Sequence, residues 1–159
     1  MTSYSIPRET RRSRLTQRNI DYLRSVYKLG GKPGGCKVRI SDLSKSLGVS
    51  ASTVSIMVRR LEFKGLLDVE DNTGVCLTRE GMKVLVEHLW KHGIIEVALL
   101  RAGVDEATAK EVADNMSTCM DSGTTEKLAK ALGNPDRCPH GKRIPYPGED
   151  LIGYDYCGL

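Results

Sequence analysis

Two short helical patterns separated by a glycine constrain this chain more than any other feature. Residues 38–64 read VRISDLSKSLGVSASTVSIMVRRLEFK. In the first pattern Ser41 is placed to cap a helix, and Gly48 then supplies the positive φ that a tight turn needs. In the second pattern Ser50 is the cap. A helix, a short turn with glycine and a second helix form a helix-turn-helix. The apolar residues predicted to face inward are Leu43, Leu47, Val54, Met57, Val58 and Leu61.

The flanking segments extend this motif to a winged helix-turn-helix of three helices plus a β-hairpin. Residues 16–29 carry apolar side chains at spacings of three and four behind Thr16, which predicts a first helix. After the motif, residues 65–70 and 75–78 are two short β-like runs around a turn with Asn and Gly. A hairpin directly after the second motif helix is typical of a wing.

The rest of the chain predicts an all-helical second domain, so the fold class is mainly α. A pattern of about 22 residues runs from Thr78 to Gly103 and is apolar on more than one face, as in helices buried between domains or subunits. A further helix is expected from its cap Asp105 to Met120, and a shorter one from Ser122 to Leu132. We place the domains at 1–78 and 79–145, with a tail at 146–159. The residues expected to face inward on the Asp105 helix are Ala107, Val112, Ala113 and Met116.

The charge of the chain is divided between its two parts. Residues 1–65 contain 14 Lys and Arg against 4 Asp and Glu, a net charge of +10, whereas the remainder carries −6. Such a basic half is suited to a polyanion, and double-stranded DNA is a better candidate than an acidic membrane, because no basic helix with a bulky apolar face accompanies the charge. No apolar stretch is long enough to span a bilayer, so no membrane partner is expected.

The second motif helix carries short hydroxyl side chains at its start and arginines further along. Short hydroxyls let a helix lie deep in a groove, and arginines add charge-assisted contacts to phosphates. Hydroxyls at a helix start can also serve only as caps, but the preceding helix and the basic background favour the DNA-binding interpretation. With two arginines of the N-terminal arm, the candidate DNA-binding residues are Arg11, Arg12, Ser50, Ser52, Thr53, Ser55, Arg59 and Arg60.

The cysteines point to a reducing compartment. There are five of them, an odd number, and they are widely spaced. The first residues, MTSYSIPRETRRSR, contain no apolar run for a signal peptide. We therefore expect a cytoplasmic protein.

Four motifs in order resemble the diphtheria-toxin-repressor and manganese-transport-regulator family of metal-dependent repressors. They are DYLRSVYKL, ISDLSKSLGVSASTVSIMVRRLEFKGLL, KHGIIE in the long helix, and CPHGKRIP. The resemblance covers roughly residues 16–146. It implies a homodimer, joined through the helical domain, that holds Fe(II) or Mn(II) and represses metal-homeostasis genes from a palindromic operator. The chain looks like the short, two-domain form of the family.

The resemblance also implies metal ligands. Asp21 matches a carboxylate that manganese-type members place on the first helix, and carboxylate oxygen suits Mn(II) or Fe(II). His92 and Glu96 match a His and Glu one turn apart on the long helix, and His88 extends that face by one more turn. An ion that joins Asp21 to the long helix would couple the DNA-binding domain to the dimer core.

The next helix departs from the family pattern. Where members carry a Glu or Cys followed by a Glu and a His, this chain has Asp114, Ser117 and Thr118, so the primary site is incomplete, rebuilt with Cys119, or lost.

Cys138 and His140 add metal-like groups in a turn, and a zinc ion there would need Cys119, Cys157 or a second subunit to reach four ligands. An alternative is a winged-helix regulator switched by thiol redox or by an iron–sulfur cluster through Cys119, Cys138 and Cys157. A nucleophile elbow or phosphate loop is not evident, so we do not expect an enzyme.

Overall fold

The computed structural model describes residues 15–71, 74–153 and 155–159. The arginines proposed for the N-terminal arm, Arg11 and Arg12, lie outside this part of the chain. Within it the fold is mainly helical with one antiparallel hairpin, as predicted. The elements in chain order are α1 (Gln17–Lys28), α2 (Ile40–Leu47), α3 (Ala51–Phe63), β1 (Leu67–Glu70), β2 (Gly74–Leu77), α4 (Arg79–Arg101), α5 (Glu106–Ser117) and α6 (Ser122–Ala131).

The helix-turn-helix is α2 and α3. Gly48 ends α2 in the left-handed region with φ of 64°, and Ser50 accepts a hydrogen bond from the backbone N–H of Thr53 to cap α3. The prediction that Ser41 caps α2 is wrong, since the helix begins at Ile40. Val38 pairs with Val75 of the wing and the next residue stays extended, so the chain enters the helix two residues earlier than expected.

The wing is the hairpin β1–β2, in which Leu67 lies opposite Leu77. A disulfide joins Cys36, in the loop before α2, to Cys76 of β2. Both cysteines are buried. This bond, which no sequence pattern predicted, links the loop between α1 and α2 to the wing.

The second domain packs α5 and α6 against the long helix α4. Asp105 caps α5 as predicted, but the helix ends at Ser117 rather than Met120. Its inward face was predicted only in part: Ala113 is buried and Val112 is half-buried, but Ala107 and Met116 are exposed. Small side chains face α4 instead, because they let two helices approach closely. The buried residues of α5 are Ala109, Ala113 and Ser117.

The interior has two apolar clusters. One is the core of the N-terminal domain, built on α1, α3, the wing and the first half of α4; the other surrounds Trp90 and Ile94 of α4. The segment after α6 contributes to both clusters, through Tyr156 in the first and Cys157 in the second. Among the helices described here, none is both long and apolar enough to cross a membrane.

The disulfide leads to a stability prediction. It closes a loop between residues 40 positions apart, so it removes chain entropy from the unfolded state. We expect Cys36→Ser to lower the free energy of unfolding by about 3 kcal/mol under oxidising conditions, as measured by guanidinium denaturation. The matched control is Cys119→Ser, which removes an exposed free thiol and should change little. Equal stability of the two variants would contradict a disulfide between Cys36 and Cys76.

Candidate metal centre

Helix α4 presents three polar side chains to the protein interior. His88, His92 and Glu96 follow one another at intervals of four residues, so they share one face of the helix, and each is at most 3% exposed. Burial of a carboxylate and two imidazoles is costly unless other polar groups compensate. What surrounds them therefore determines what the site can do.

Glu96 is the centre of a group of sulfur and nitrogen atoms. Its Oε2 accepts a hydrogen bond from the Cys157 thiol at 2.7 Å and lies 3.6 Å from His92 Nε2. Its Oε1 lies 3.8 Å from His140 Nδ1, which is itself 3.7 Å from Cys138 Sγ. Three separate segments thus meet at one carboxylate: α4, the turn at residues 138–141, and the C-terminal tail.

These contacts form two triads that share Glu96. The ligand atoms of His92, Glu96 and Cys157 all lie within 4.8 Å of one another, and so do those of Glu96, Cys138 and His140. We call the five residues the thiol centre. It opens into a cavity of about 330 Å³.

The surroundings shift the proton affinities of the thiol centre. Burial, followed by the neighbouring Glu96 carboxylate, raises the pKa of the Cys157 thiol far above its usual range. Burial alone would raise the pKa of Glu96, but hydrogen bonds from His92 and Cys157 outweigh it and lower that pKa. The thiol therefore stays protonated, and its S–H donates a hydrogen bond to the carboxylate.

The donor set fits a divalent cation. Two thiols, two imidazoles and a carboxylate are the groups that bind zinc and other borderline ions, whereas Mn(II) prefers oxygen. Four of the five side chains are buried, so a cation there would be shielded from bulk water. The cation would be held by His92, Glu96, Cys138, His140 and Cys157.

An arginine side chain lies between α1 and the second domain, where the sequence predicts a metal ion. Arg24 of α1 lies between two carboxylates, 3.1 Å from Asp114 Oδ1 and 3.8 Å from Asp21 Oδ1. Asp114 is also 3.0 Å from His92 Nδ1, while the Asp21 side chain is 44% exposed and accepts a hydrogen bond from Gln17. Arg24 thus links α1 to the second domain through Asp114, and Asp21 belongs to neither triad of the thiol centre.

Positive and hydrogen-bonding groups around Asp114 keep its carboxyl ionised. Burial alone would raise its pKa, but the nearby imidazoles of His88 and His92, 3.8 and 3.0 Å from Oδ1, together with the charge of Arg24, outweigh burial and hold the pKa far below the usual range. Burial lowers the pKa of His88, whose ring also contacts the Ser117 hydroxyl at 3.2 Å. His88 is therefore part of this network and not of either triad.

The remaining candidate ligand, Cys119, lies apart from the thiol centre. It is exposed, and its sulfur contacts Thr118 beside it. A third triad in the described chain, Cys36, Asp68 and Cys76, offers no thiolate because its two sulfurs are bonded to each other. Every member of the thiol centre was a predicted ligand, but the five residues were predicted in two different sites, because the sequence does not show where the tail and the 138–141 turn lie.

Helix α3 exposes the face on which DNA contacts were predicted. Ser52, Arg59 and Arg60 are exposed, whereas Thr53 and Ser55 are half-buried. Ser50 is exposed, but its hydroxyl lies 3.1 Å from that of Ser52 and 2.8 Å from that of Thr53. Capping and groove contact therefore compete for the same oxygens.

One residue of this face was missed. Ile56 is 56% exposed, one turn after Ser52 and one turn before Arg60. An exposed apolar side chain at the middle of a helix that presents hydroxyls and arginines is suited to contact a thymine methyl group. Its solvent exposure identifies it, and the helical spacing of residues 52, 56 and 60 could have indicated it from the sequence.

Comparison with known families places this geometry in context. Residues 14–75 match the model of the iron dependent repressor N-terminal DNA binding domain, and residues 78–146 match the model of the iron dependent repressor metal binding and dimerisation domain. Together the two matches cover most of the chain, with the thiol centre inside the second match except for Cys157.

Individual proteins and solved structures are similar to this chain as well. An uncharacterised helix-turn-helix transcriptional regulator of Aeropyrum pernix is 44% identical over 139 residues, which are 87% of this chain and 75% of that protein. A hypothetical protein of Sulfolobus solfataricus superposes with a TM-score of 0.74 at 30% identity, covering 83% of this chain and all of that one. The structure of the manganese regulator SloR superposes with a TM-score of 0.69 at 30% identity, and the match covers 84% of this chain and 62% of the SloR chain. The chain therefore belongs to the iron-dependent repressor family of metal-dependent transcriptional regulators, the diphtheria-toxin-repressor and manganese-transport-regulator group.

Proposed function

We propose that this protein is a homodimeric repressor that binds double-stranded DNA through α3 and responds to a divalent cation held at the thiol centre. The observation that carries the proposal is the sharing of Glu96 by two triads, which brings five donor side chains from three segments together. A buried carboxylate with two imidazoles and two thiols around it is the kind of donor set that binds a divalent cation.

The chemistry of the donors favours Fe(II) or Zn(II) over Mn(II). Cys138 and Cys157 each offer a sulfur ligand, and the two imidazoles are the nitrogen ligands that borderline ions prefer. An iron–sulfur cluster is usually held by four thiolates. Of the three free thiols only two meet here, since Cys119 is exposed elsewhere, so a single ion suits the site better than a cluster or a three-cysteine redox switch.

The DNA-binding role rests on the exposed face of α3 and on charge. Two protomers would place their α3 helices in successive major grooves of an inverted repeat, about 34 Å apart. Arg59 and Arg60 would contact phosphates, while Ser52 and Ile56 would face base edges. The N-terminal arm with Arg11 and Arg12 would add further phosphate contacts.

The position of Arg24 gives the protein two different cationic links. The guanidinium links α1 to Asp114 with a charge that does not depend on metal, because arginine stays protonated. The thiol centre depends on a cation that the cell can supply or withdraw. The response to metal would therefore come from the thiol centre, with one ion bound per chain.

The metal centre can be tested with Co(II), which substitutes for Fe(II) and Zn(II) and absorbs in the near ultraviolet when thiolates coordinate it. We expect one Co(II) per chain with thiolate absorbance. Cys138→Ser should weaken binding at least about tenfold and reduce that absorbance, because it removes a buried sulfur ligand. Cys119→Ser is the matched control and should bind like the wild type. Binding without thiolate absorbance, or equal loss in both variants, would contradict the thiol centre.

The DNA surface can be tested by fluorescence anisotropy on a mixed-sequence duplex, since phosphate contacts do not depend on sequence. Arg60→Ala should weaken binding about tenfold and reduce the slope of log K against log salt concentration by about 1. Lys127→Ala, which removes an exposed cation from α6, is the charge-matched control and should leave both quantities unchanged. If the two variants behave alike, α3 is not the DNA-binding surface.

A further inference from the structure

The C-terminal tail lies between the two apolar clusters of the protein. Leu151 and Tyr156 are buried in the core of the N-terminal domain, at 6% and 2% exposure. The residue that follows, Cys157, is buried in the second cluster beside Cys138. Two consecutive residues therefore belong to the DNA-binding domain and to the thiol centre, respectively.

Hydrogen bonds attach the tail to α1. The hydroxyl of Tyr27, a fully buried residue of α1, lies 2.9 Å from the carbonyl oxygen of Gly153 and 3.2 Å from that of Leu151, and it donates to both. The hydroxyl of Tyr156 in turn accepts a hydrogen bond from the backbone N–H of Ile152 at 3.0 Å. These contacts hold the loop of the tail against the helix that precedes the helix-turn-helix.

Other contacts attach the tail to the thiol centre. The backbone N–H of Cys157 donates to the carbonyl of Arg143, and that of Arg143 donates to Asp155. The backbone of Arg143 also forms an antiparallel β-bridge with that of Arg137, the residue before Cys138. Gly158 has φ of 80°, and a Cβ built on it would lie 2.8 Å from His92 Cδ2, so the tail packs directly on a ligand ring.

We infer that the tail transmits cation binding from the thiol centre to α1, with Cys157 as the ligand and Tyr27 as the positioning residue. The inference rests on the proposed function of the thiol centre. Without a cation, the sulfur of Cys157 is held by one hydrogen bond to Glu96. Coordination of that sulfur fixes residues 155–159 and, through Tyr156 and the Tyr27 hydroxyl, fixes α1.

Transmission through the tail differs from a direct link, in which a side chain of α1 would itself bind the ion. The side chains of α1 that face the second domain include Arg24, which already pairs with Asp114 and needs no cation. The tail offers a different connection, because Cys157 and the carbonyls bound by Tyr27 lie on the same segment. The tail is held by buried side chains as well as by hydrogen bonds, and an added bond to Cys157 at one end shifts its population further toward the closed form.

Hydrogen exchange of the α1 amides, measured by mass spectrometry on the full chain with Zn(II) or with chelator, tests this. In the wild type, Zn(II) should slow exchange of residues 17–28 about tenfold. Tyr27→Phe removes the hydroxyl that holds the two carbonyls and should reduce this slowing to about twofold. Its Co(II) binding should remain within about twofold of the wild type, because Tyr27 is not a ligand.

The matched control is Tyr22→Phe, on the same helix. The hydroxyl of Tyr22 is buried and has no hydrogen-bond partner within the part of the chain that the structure describes, so its removal should leave the Zn(II) effect intact. Tyr156→Phe serves as a second test, since it loses the bond to Ile152 with the ring retained, and it too should reduce the effect.

The outcomes separate the two proposals. If Co(II) binds with thiolate absorbance and Zn(II) slows α1 exchange equally in the wild type, Tyr27→Phe and Tyr156→Phe, transmission through the tail is wrong and the thiol centre stands. If the wild type binds Co(II) without thiolate absorbance, the thiol centre is wrong, and this inference fails with it. Loss of the Zn(II) effect in the two tyrosine variants but not in Tyr22→Phe supports transmission through the tail.

Discussion

The buried carboxylate of Glu96 is the constraint on which the arrangement of the second domain depends. A charged group in the middle of a helix with apolar neighbours is costly unless other polar groups surround it. Here the compensation comes from far along the sequence, as the turn at residues 138–141 and the tail fold back onto α4. The same contacts that satisfy Glu96 assemble the thiol centre, so the requirement for stability and the capacity for cation binding have one origin.

Under the proposed function, the fixed charge of Arg24 is accompanied by a cation that can be exchanged. Arg24 neutralises Asp114 between α1 and the second domain, where the sequence had predicted an ion held by Asp21. A guanidinium cannot be withdrawn, so this contact gives a constant orientation. His92 joins this network to the thiol centre, since its Nδ1 lies 3.0 Å from Asp114 and its Nε2 lies 3.6 Å from Glu96. Under the proposed function, the thiol centre would supply the response to metal.

Much of the fold could be predicted from local signals. The caps Thr16, Ser50 and Asp105 and the left-handed Gly48 were identified because each needs only its own neighbours. On the inward face of α5, Ala113 was predicted but Ala109 and Ser117 were missed, because close packing on α4 selects small side chains, which local periodicity does not show. The disulfide and the meeting of Cys157 with Glu96 were missed because each joins segments at least 40 residues apart, and no local pattern sets such distances.

X-ray absorption fine structure at the zinc edge of the Zn(II)-loaded protein can test cation binding at the thiol centre, because it reports which atoms coordinate the ion. We expect one zinc with two sulfur ligands at about 2.3 Å, and nitrogen or oxygen ligands at about 2.0 Å. A coordination shell made only of nitrogen and oxygen would place the ion away from Cys138 and Cys157 and would contradict cation binding at the thiol centre.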